Sequence, residues 1–353
     1  MIDKKTYSKE WLLDLKQKLG KKVDAKLIEK VVYALSFLEQ LKVNRLDFIF
    51  KGGTALLLAT KEPKRFSIDI DIITEQTEAD IISILDKIVA TGIFTRWQDD
   101  NNRKHTPDAP IGHFKMYYNS VIDSTYEEPI LLDILYSPNP YPEVMEIPIQ
   151  HDWISTSGEI PTVTMPTFAS ILGDKLTAFA PKTTGILYTK NRPVEIIKQL
   201  YDIAFLFDNI TDAELSIVGS SYSKVVAEEI GFRKLGIGAN EVLSDTFEAC
   251  YEFALRNSAS PEFEQLFLGI RNFTNFIISS FNIDEATAAA AKVAYLTELI
   301  KMNSKTIQQY NNPGQIANLM IGNTDFNKLN KLKKNNPEAF FYWYKSLEIS
   351  NKI

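Results

Sequence analysis

Along residues 25–41, AKLIEKVVYALSFLEQL, the apolar positions Leu27, Val31, Leu35 and Leu38 recur at spacings of three and four, which gathers them on one helix face. The first 45 residues read as helical throughout. The pattern then changes. Phe48-Ile49-Phe50 is a short β-like run that stops at Lys51-Gly52-Gly53-Thr54, and the ALLLA behind it suits a short helix. Beyond Pro63, Ser67-Ile68-Asp69-Ile70-Asp71-Ile72-Ile73 alternates with period two, the mark of a strand. Residues 77–92 return to helical spacing, opened by Thr77 and closed by Gly92. Further strands are predicted at 93–98, 112–122 and 130–136, with a mobile polar loop over 97–110. The stretch 137–148 carries four prolines and is predicted to be an irregular connection. Helices follow at 167–180 and 193–207, and from about 211 onward the periodicity is helical with little strand signal.

The chain has 353 residues, which suggests two or three domains, and its 45% hydrophobic content supports a sizeable core and excludes disorder as the main state. No apolar run approaches the roughly 18–20 residues that span a bilayer, so no membrane partner is expected. The opening MIDKKTYSKEWLLDLKQKLGKK is charged throughout and lacks the apolar core of a secretory leader, so a cytoplasmic location is expected. Cys250 is the single cysteine, which excludes an internal disulfide and a cysteine-based zinc cage. With three histidines, His105, His113 and His151, a histidine-rich metal site is not expected either. Metal chemistry here must run on carboxylates, which points to Mg²⁺ or Mn²⁺. A net charge of −6 argues against bulk electrostatic binding of nucleic acid and leaves room for a local basic groove.

Three features carry candidate chemistry. Gly52-Gly53-Thr54 sits between a strand and a helix, where glycines let the backbone approach a phosphate and the helix N-terminus adds N–H donors. Thr54 can add a hydroxyl. Taken alone, a glycine pair is more commonly a plain turn. Asp69 and Asp71 stand two apart on the predicted strand and so point to one face; the bland alternative is a solvated strand face. Two like charges there are costly unless a cation neutralises them or one is protonated. Asp133 lies inside the apolar run Ile130–Leu135, where an unpaired carboxylate is expensive. Together the three could hold two divalent ions and a nucleotide triphosphate.

These residues resemble a known family. Lys51-Gly52-Gly53-Thr54-Ala55-Leu56, followed by Arg65-Phe66-Ser67-Ile68-Asp69-Ile70-Asp71 and the later Asp133, is similar to the AbiEii/AbiGii branch of the nucleotidyltransferase superfamily, the toxins of type IV toxin–antitoxin and abortive-infection systems with their MenT-like relatives. The resemblance implies an α+β fold: a nucleotidyltransferase-type mixed β-sheet domain flanked by helices, then a mainly helical C-terminal domain. The motifs cover roughly residues 48–210, and with the periodicity on either side they divide the chain into N-terminal helices over 1–46, the α/β core over 47–155, helices completing the active site over 156–210, and a helical domain over 211–353. The resemblance makes Asp69, Asp71 and Asp133 the metal ligands, with Asp133 the candidate for activating the acceptor hydroxyl. It places Lys175, in Gly173-Asp174-Lys175, on the triphosphate, and gives Asp202, in Leu200-Tyr201-Asp202, the task of orienting that lysine or the substrate. Taken without the family, both read as ordinary helix-surface charges. Gly52, Gly53, Thr54, Arg65, Ser67 and Lys182 complete the expected phosphate contacts, although Arg65 suits a structural role as well. The family's arginine after the lysine helix is replaced here by Pro181-Lys182-Thr183-Thr184-Gly185, and Lys182 supplies charge without a bidentate fork.

The implied activity is transfer of NMP from an NTP to an acceptor such as the 3′ end of tRNA, with pyrophosphate release, Mg²⁺ or Mn²⁺ as cofactor and a cognate antitoxin as partner. A small-molecule nucleotidyltransferase and a non-catalytic NTP-binding protein are the alternatives. Near the C-terminus, Lys328, Lys331, Lys333 and Lys334 precede Phe340–Tyr344. That run suits either an RNA-binding surface or, more commonly, a helix that packs its aromatics inward.

Overall fold

The computed structural model describes residues 1–20, 23–103 and 109–353. Two compact units emerge. The first comprises Met1–Asn139, Val144–Pro166 and Asn275–Ser279; the second comprises Pro140–Glu143, Thr167–Thr274 and Ser280–Ile353.

The first unit opens with α1 (Lys9–Leu19) and α2 (Ala25–Val43), capped by Ser8 and Asp24, whose side chains accept backbone N–H bonds from Trp11 and Lys26. Then come β1 (Ile49–Lys51), α3 (Gly52–Ala59), β2 (Ile70–Thr74), α4 (Glu78–Ala90), β3 (Arg96–Asp99), β4 (Ile111–Asn119), β5 (Glu127–Tyr136), β6 (Val144–Pro148) and β7 (Thr162–Pro166). The sheet order is β3-β4-β5-β2-β1-β7-β6. Pairing is parallel for β2–β5 and β1–β7 and antiparallel elsewhere. The sheet is therefore mixed, as expected.

One face of the sheet is closed. Phe114, Met116 and Tyr118 alternate into the core from β4, and Ile130, Leu132 and Ile134 do so from β5. The helix α2 covers this face, and the Tyr33 ring stacks on Tyr118 with centroids 3.6 Å apart. Such a pair contributes about 0.5–1.5 kcal/mol beyond its buried area. The α2 carboxylate of Glu29 accepts bonds from Ser120 Oγ and the Val121 N–H and so fastens the helix to the end of β4. The opposite face carries the half-exposed positions Lys51, Asp71, His113 and Asp133.

Two features correct the sequence reading. The proline-rich stretch 137–148 is not wholly irregular: it ends in β6, an edge strand whose terminal Pro148 needs no ladder donor. And β7, which had no strand assignment, joins the sheet beside β1. The strand holding the acidic pair begins at Ile70, so Asp69 sits just before it. The mobile loop expected over 97–110 falls partly at 104–108, outside the described residues, and its first residues belong to β3.

The second unit holds α5 (Phe168–Ala178), α6 (Pro193–Phe207), α7 (Leu215–Phe232), α8 (Ala239–Leu255), α9 (Pro261–Phe273), α10 (Ile283–Lys301), α11 (Leu332–Asn335) and α12 (Pro337–Ile349). No strand occurs here among the described residues. The aromatic run at the C-terminus is core: Phe340, Phe341, Tyr342 and Trp343 are buried, and Trp343 meets Phe247 edge-on. Lys333 donates to the carbonyls of Ala317 and Leu319. Lys292 on α10 bridges Asp208 at 2.8 Å and Glu338 at 2.9 Å. Among the described residues, no helix is long and apolar enough to cross a membrane.

Candidate active site

β1 ends at Lys51, and α3 begins at once with Gly52 in the left-handed region at φ +79°. The missing side chain is also a spatial requirement. A β-carbon on Gly52 would lie 2.1 Å from Asp71 Oδ2, and one on Gly53 would lie 2.4 Å from Arg65 Nη2 and 2.5 Å from Ser67 Oγ. The two glycines thus admit the acid and base side chains of the following segment against the backbone turn. Thr54 is fully buried; its hydroxyl donates to the Asp69 carbonyl at 2.6 Å and lies 3.1 Å from Ser67 Oγ. It fastens the start of α3 to the approach of β2.

Arg65 is buried, and its Nη1 donates to the Phe66 carbonyl at 2.9 Å. Its backbone forms a β-bridge with Ile277, and the Phe66 N–H donates to the Phe276 carbonyl at 2.7 Å. Residues 275–279 therefore pin the segment that leads into the acidic strand.

Register then builds a polar row across the open face. Lys51 pairs with Asp71 across β1–β2, Asp71 with Asp133 across β2–β5, and Asp133 with His113 across β5–β4. Adjacent strands lie about 4.8 Å apart, so Asp71 and Asp133 present their carboxylates side by side. Two acids occupy the middle of the row and a basic side chain flanks each outer side. Asp133 Oδ1 is 2.7 Å from Nδ1 of His113, with the two side chains 33% and 15% exposed.

Side-by-side carboxylates on one half-open face offer hard oxygen donors, the chemistry that suits Mg²⁺ or Mn²⁺. The glycine turn admits the Asp71 oxygen to the same place. Among the described residues, however, no three or more His, Cys, Asp or Glu side chains are gathered into a ready-made metal cluster. The donor set fits a divalent cation, and Asp69 stands two residues from Asp71, just ahead of the strand.

The second unit positions the other candidates. Lys175 on α5 pairs with Asp202 on α6 at 2.7 Å, with side chains only 8% and 5% exposed, and also donates to Gln199 Oε1. These are not the solvated charges that composition alone suggests. Lys182 reaches Glu248 at 3.2 Å, and its backbone N–H and the Thr183 hydroxyl both donate to Asp245. Thr184 donates to the Thr177 carbonyl. Burial raises the Asp245 carboxyl above the usual range.

Sequence reasoning missed His113. Its place beside Asp133 depends on a strand pairing between residues 20 positions apart, which composition does not reveal. The only available signal was its alternation with Gly112 and Phe114 on a strand.

The family model described as nucleotidyl transferase AbiEii toxin, type IV TA system, matches residues 36–291. Among solved structures the chain is similar to MenT4, a nucleotidyltransferase toxin from Mycobacterium tuberculosis H37Rv, with a TM-score of 0.50 and 13% identity over 90% of this chain and 94% of that one. At that identity the likeness speaks for the fold. No curated protein matches the sequence.

Proposed function

Since the chain belongs to the AbiEii family of nucleotidyltransferase toxins of type IV toxin–antitoxin systems, we propose that it transfers NMP from an NTP to an RNA acceptor such as the tRNA 3′ end, acting in the cytoplasm and restrained by a cognate antitoxin. The observation that carries the reading is the register pairing of Asp71 with Asp133 beside the Gly52-Gly53 turn.

Asp71 and Asp133, with Asp69, would hold Mg²⁺ or Mn²⁺. When bound, such a cation neutralises phosphate oxygens and eases ionisation of the attacking hydroxyl. The chain's own part is positioning and charge. Gly52 and Gly53 bring backbone N–H groups at the start of α3 toward the triphosphate, with the helix dipole favouring its negative charge. Thr54, Arg65 and Ser67 hold the turn against β2. The acceptor oxygen attacks the α-phosphorus, the bond from that phosphorus to the bridging oxygen breaks, and pyrophosphate leaves. Asp133 takes the proton from the acceptor hydroxyl. Within the second unit Asp202 holds the Lys175 ammonium in one direction, and the family resemblance makes Lys175 and Lys182 the candidates for offsetting triphosphate charge.

The test is incubation of the full chain with each labelled NTP, total cellular RNA and Mg²⁺ or Mn²⁺. Label entering RNA with stoichiometric pyrophosphate is the expected result. Pyrophosphate released with label only in small molecules would move the acceptor assignment, and binding of all four nucleotides without any pyrophosphate would overturn the catalytic reading.

A further inference from the structure

We propose that His113 is a positioning residue for Asp133, fixing the rotation of that carboxylate on the face where the cation is held. The inference rests on the metal reading above and adds a residue which that reading does not use.

The geometry is specific. Nδ1 of His113 lies 2.7 Å from Oδ1 of Asp133. An ionised carboxylate only accepts, so Nδ1 carries the hydrogen and donates. The final torsion of an aspartate is broad, and an unrestrained carboxylate samples many planes. A donor at fixed distance selects one plane, and with it the direction in which the acid presents its oxygens. Ligating carboxylates commonly need such a partner.

The donor is itself anchored. The His113 N–H donates to Asn101 Oδ1 at 2.9 Å, and its carbonyl accepts the Asp100 N–H at 2.8 Å. Both are main-chain bonds, so the backbone from which the imidazole projects is held in place. The sheet does not need this side-chain bond for its own sake. β4 and β5 are already joined over nine residue pairs, from Ile111↔Leu135 to Asn119↔Glu127. A side-chain bond in the middle of a complete ladder adds little to pairing, but it does set the orientation of an acid that stands next to a second acid.

The experiment compares His113→Leu, which removes the donor, with His113→Asn, whose amide N–H reaches roughly where Nδ1 sits. Mn²⁺ alone is titrated into the full chain, and free Mn²⁺ is read by its paramagnetic resonance signal, with circular dichroism melting as the fold control. The leucine variant should bind Mn²⁺ about 10–100-fold more weakly, and the asparagine variant should recover most of that loss. His113→Ala serves the same comparison if the leucine variant melts early. Unchanged Mn²⁺ affinity in the donor-less variants, or equal weakening in asparagine and leucine, overturns the role of His113 while leaving the metal reading standing. An unmodified chain that binds no Mn²⁺ overturns both.

Discussion

Gly52 and Asp71 are packed so closely that a β-carbon on the glycine would sit 2.1 Å from the carboxylate oxygen, while the glycine itself holds φ at +79°. Two separate demands meet at that residue. Its backbone must be left-handed, and its side-chain volume is taken by the acid. Gly92 isolates the first demand: its φ is +80°, and nothing lies within 4 Å of its would-be β-carbon. Gly92→Ala should therefore cost about 1–2 kcal/mol of stability with nucleotidyl transfer intact. Gly52→Ala should pay a similar strain and also push Asp71 aside, lowering transfer about 100-fold or more. Urea unfolding and label incorporation on the two variants measure the difference; matching activities would mean the close approach is irrelevant to chemistry.

Removing charge without volume tests the carboxylate pair. Asp71→Asn and Asp133→Asn should each reduce transfer by on the order of 10²–10³ or more and abolish growth arrest on expression. The double variant should be little worse than either single one, because the two acids act as a unit. Growth arrest that persists in both single variants would separate toxicity from this site.

Lys175 and Asp202 form a pair that is nearly sealed from water at 2.7 Å. Breaking a buried pair by removing one partner costs about 3–5 kcal/mol, because the other charge is stranded. Lys175→Met and Asp202→Leu should each destabilise on that scale, and the double variant should regain much of the loss. A double-mutant cycle by denaturant unfolding reads the coupling. Additive losses would show the two groups to be independent.

His151 sits buried beside Trp153 and accepts the Trp153 N–H on Nδ1; burial lowers its pKa below the ordinary value of 6.5. The unfolded chain takes up a proton as pH falls past about 6.5, whereas the folded chain resists, so stability is full above that pH and declines below it. The decline approaches about 1.4 kcal/mol per pH unit for one proton. His151→Asn keeps an acceptor and removes the titration, so its melting temperature should fall less between pH 6.5 and 5 than that of the unmodified chain.

Much of this was legible in local pattern. The helix at 193–207 lies where its apolar spacing put it, and Thr77 does cap α4, with Asp80 returning the bond. These features depend on neighbours within a turn. What escaped depends on distant pairing. β7 is a short strand that acquires its meaning only beside β1, more than a hundred residues earlier in the chain. The alternation that suggested a strand from residue 67 ran past the true start because Ser67 and Asp69 alternate like strand residues, yet Thr54 holds the Asp69 carbonyl. Among the site residues, the glycine turn and the acids stand out by type and spacing. The Asp71–Asp133 partnership and the imidazole behind it follow from register, which no single segment encodes.

The return of residues 275–279 to clasp Lys64–Phe66 makes the first unit discontinuous in sequence. A ribosome must have extruded that late segment before the Phe66 N–H finds its acceptor and Arg65 its bridge. An amino-terminal fragment cut after the sheet would leave this backbone wet and the approach to the acids unpinned. Chains that stop short of residue 279 lack this clasp, so the approach to the acids is completed only once that segment has been made.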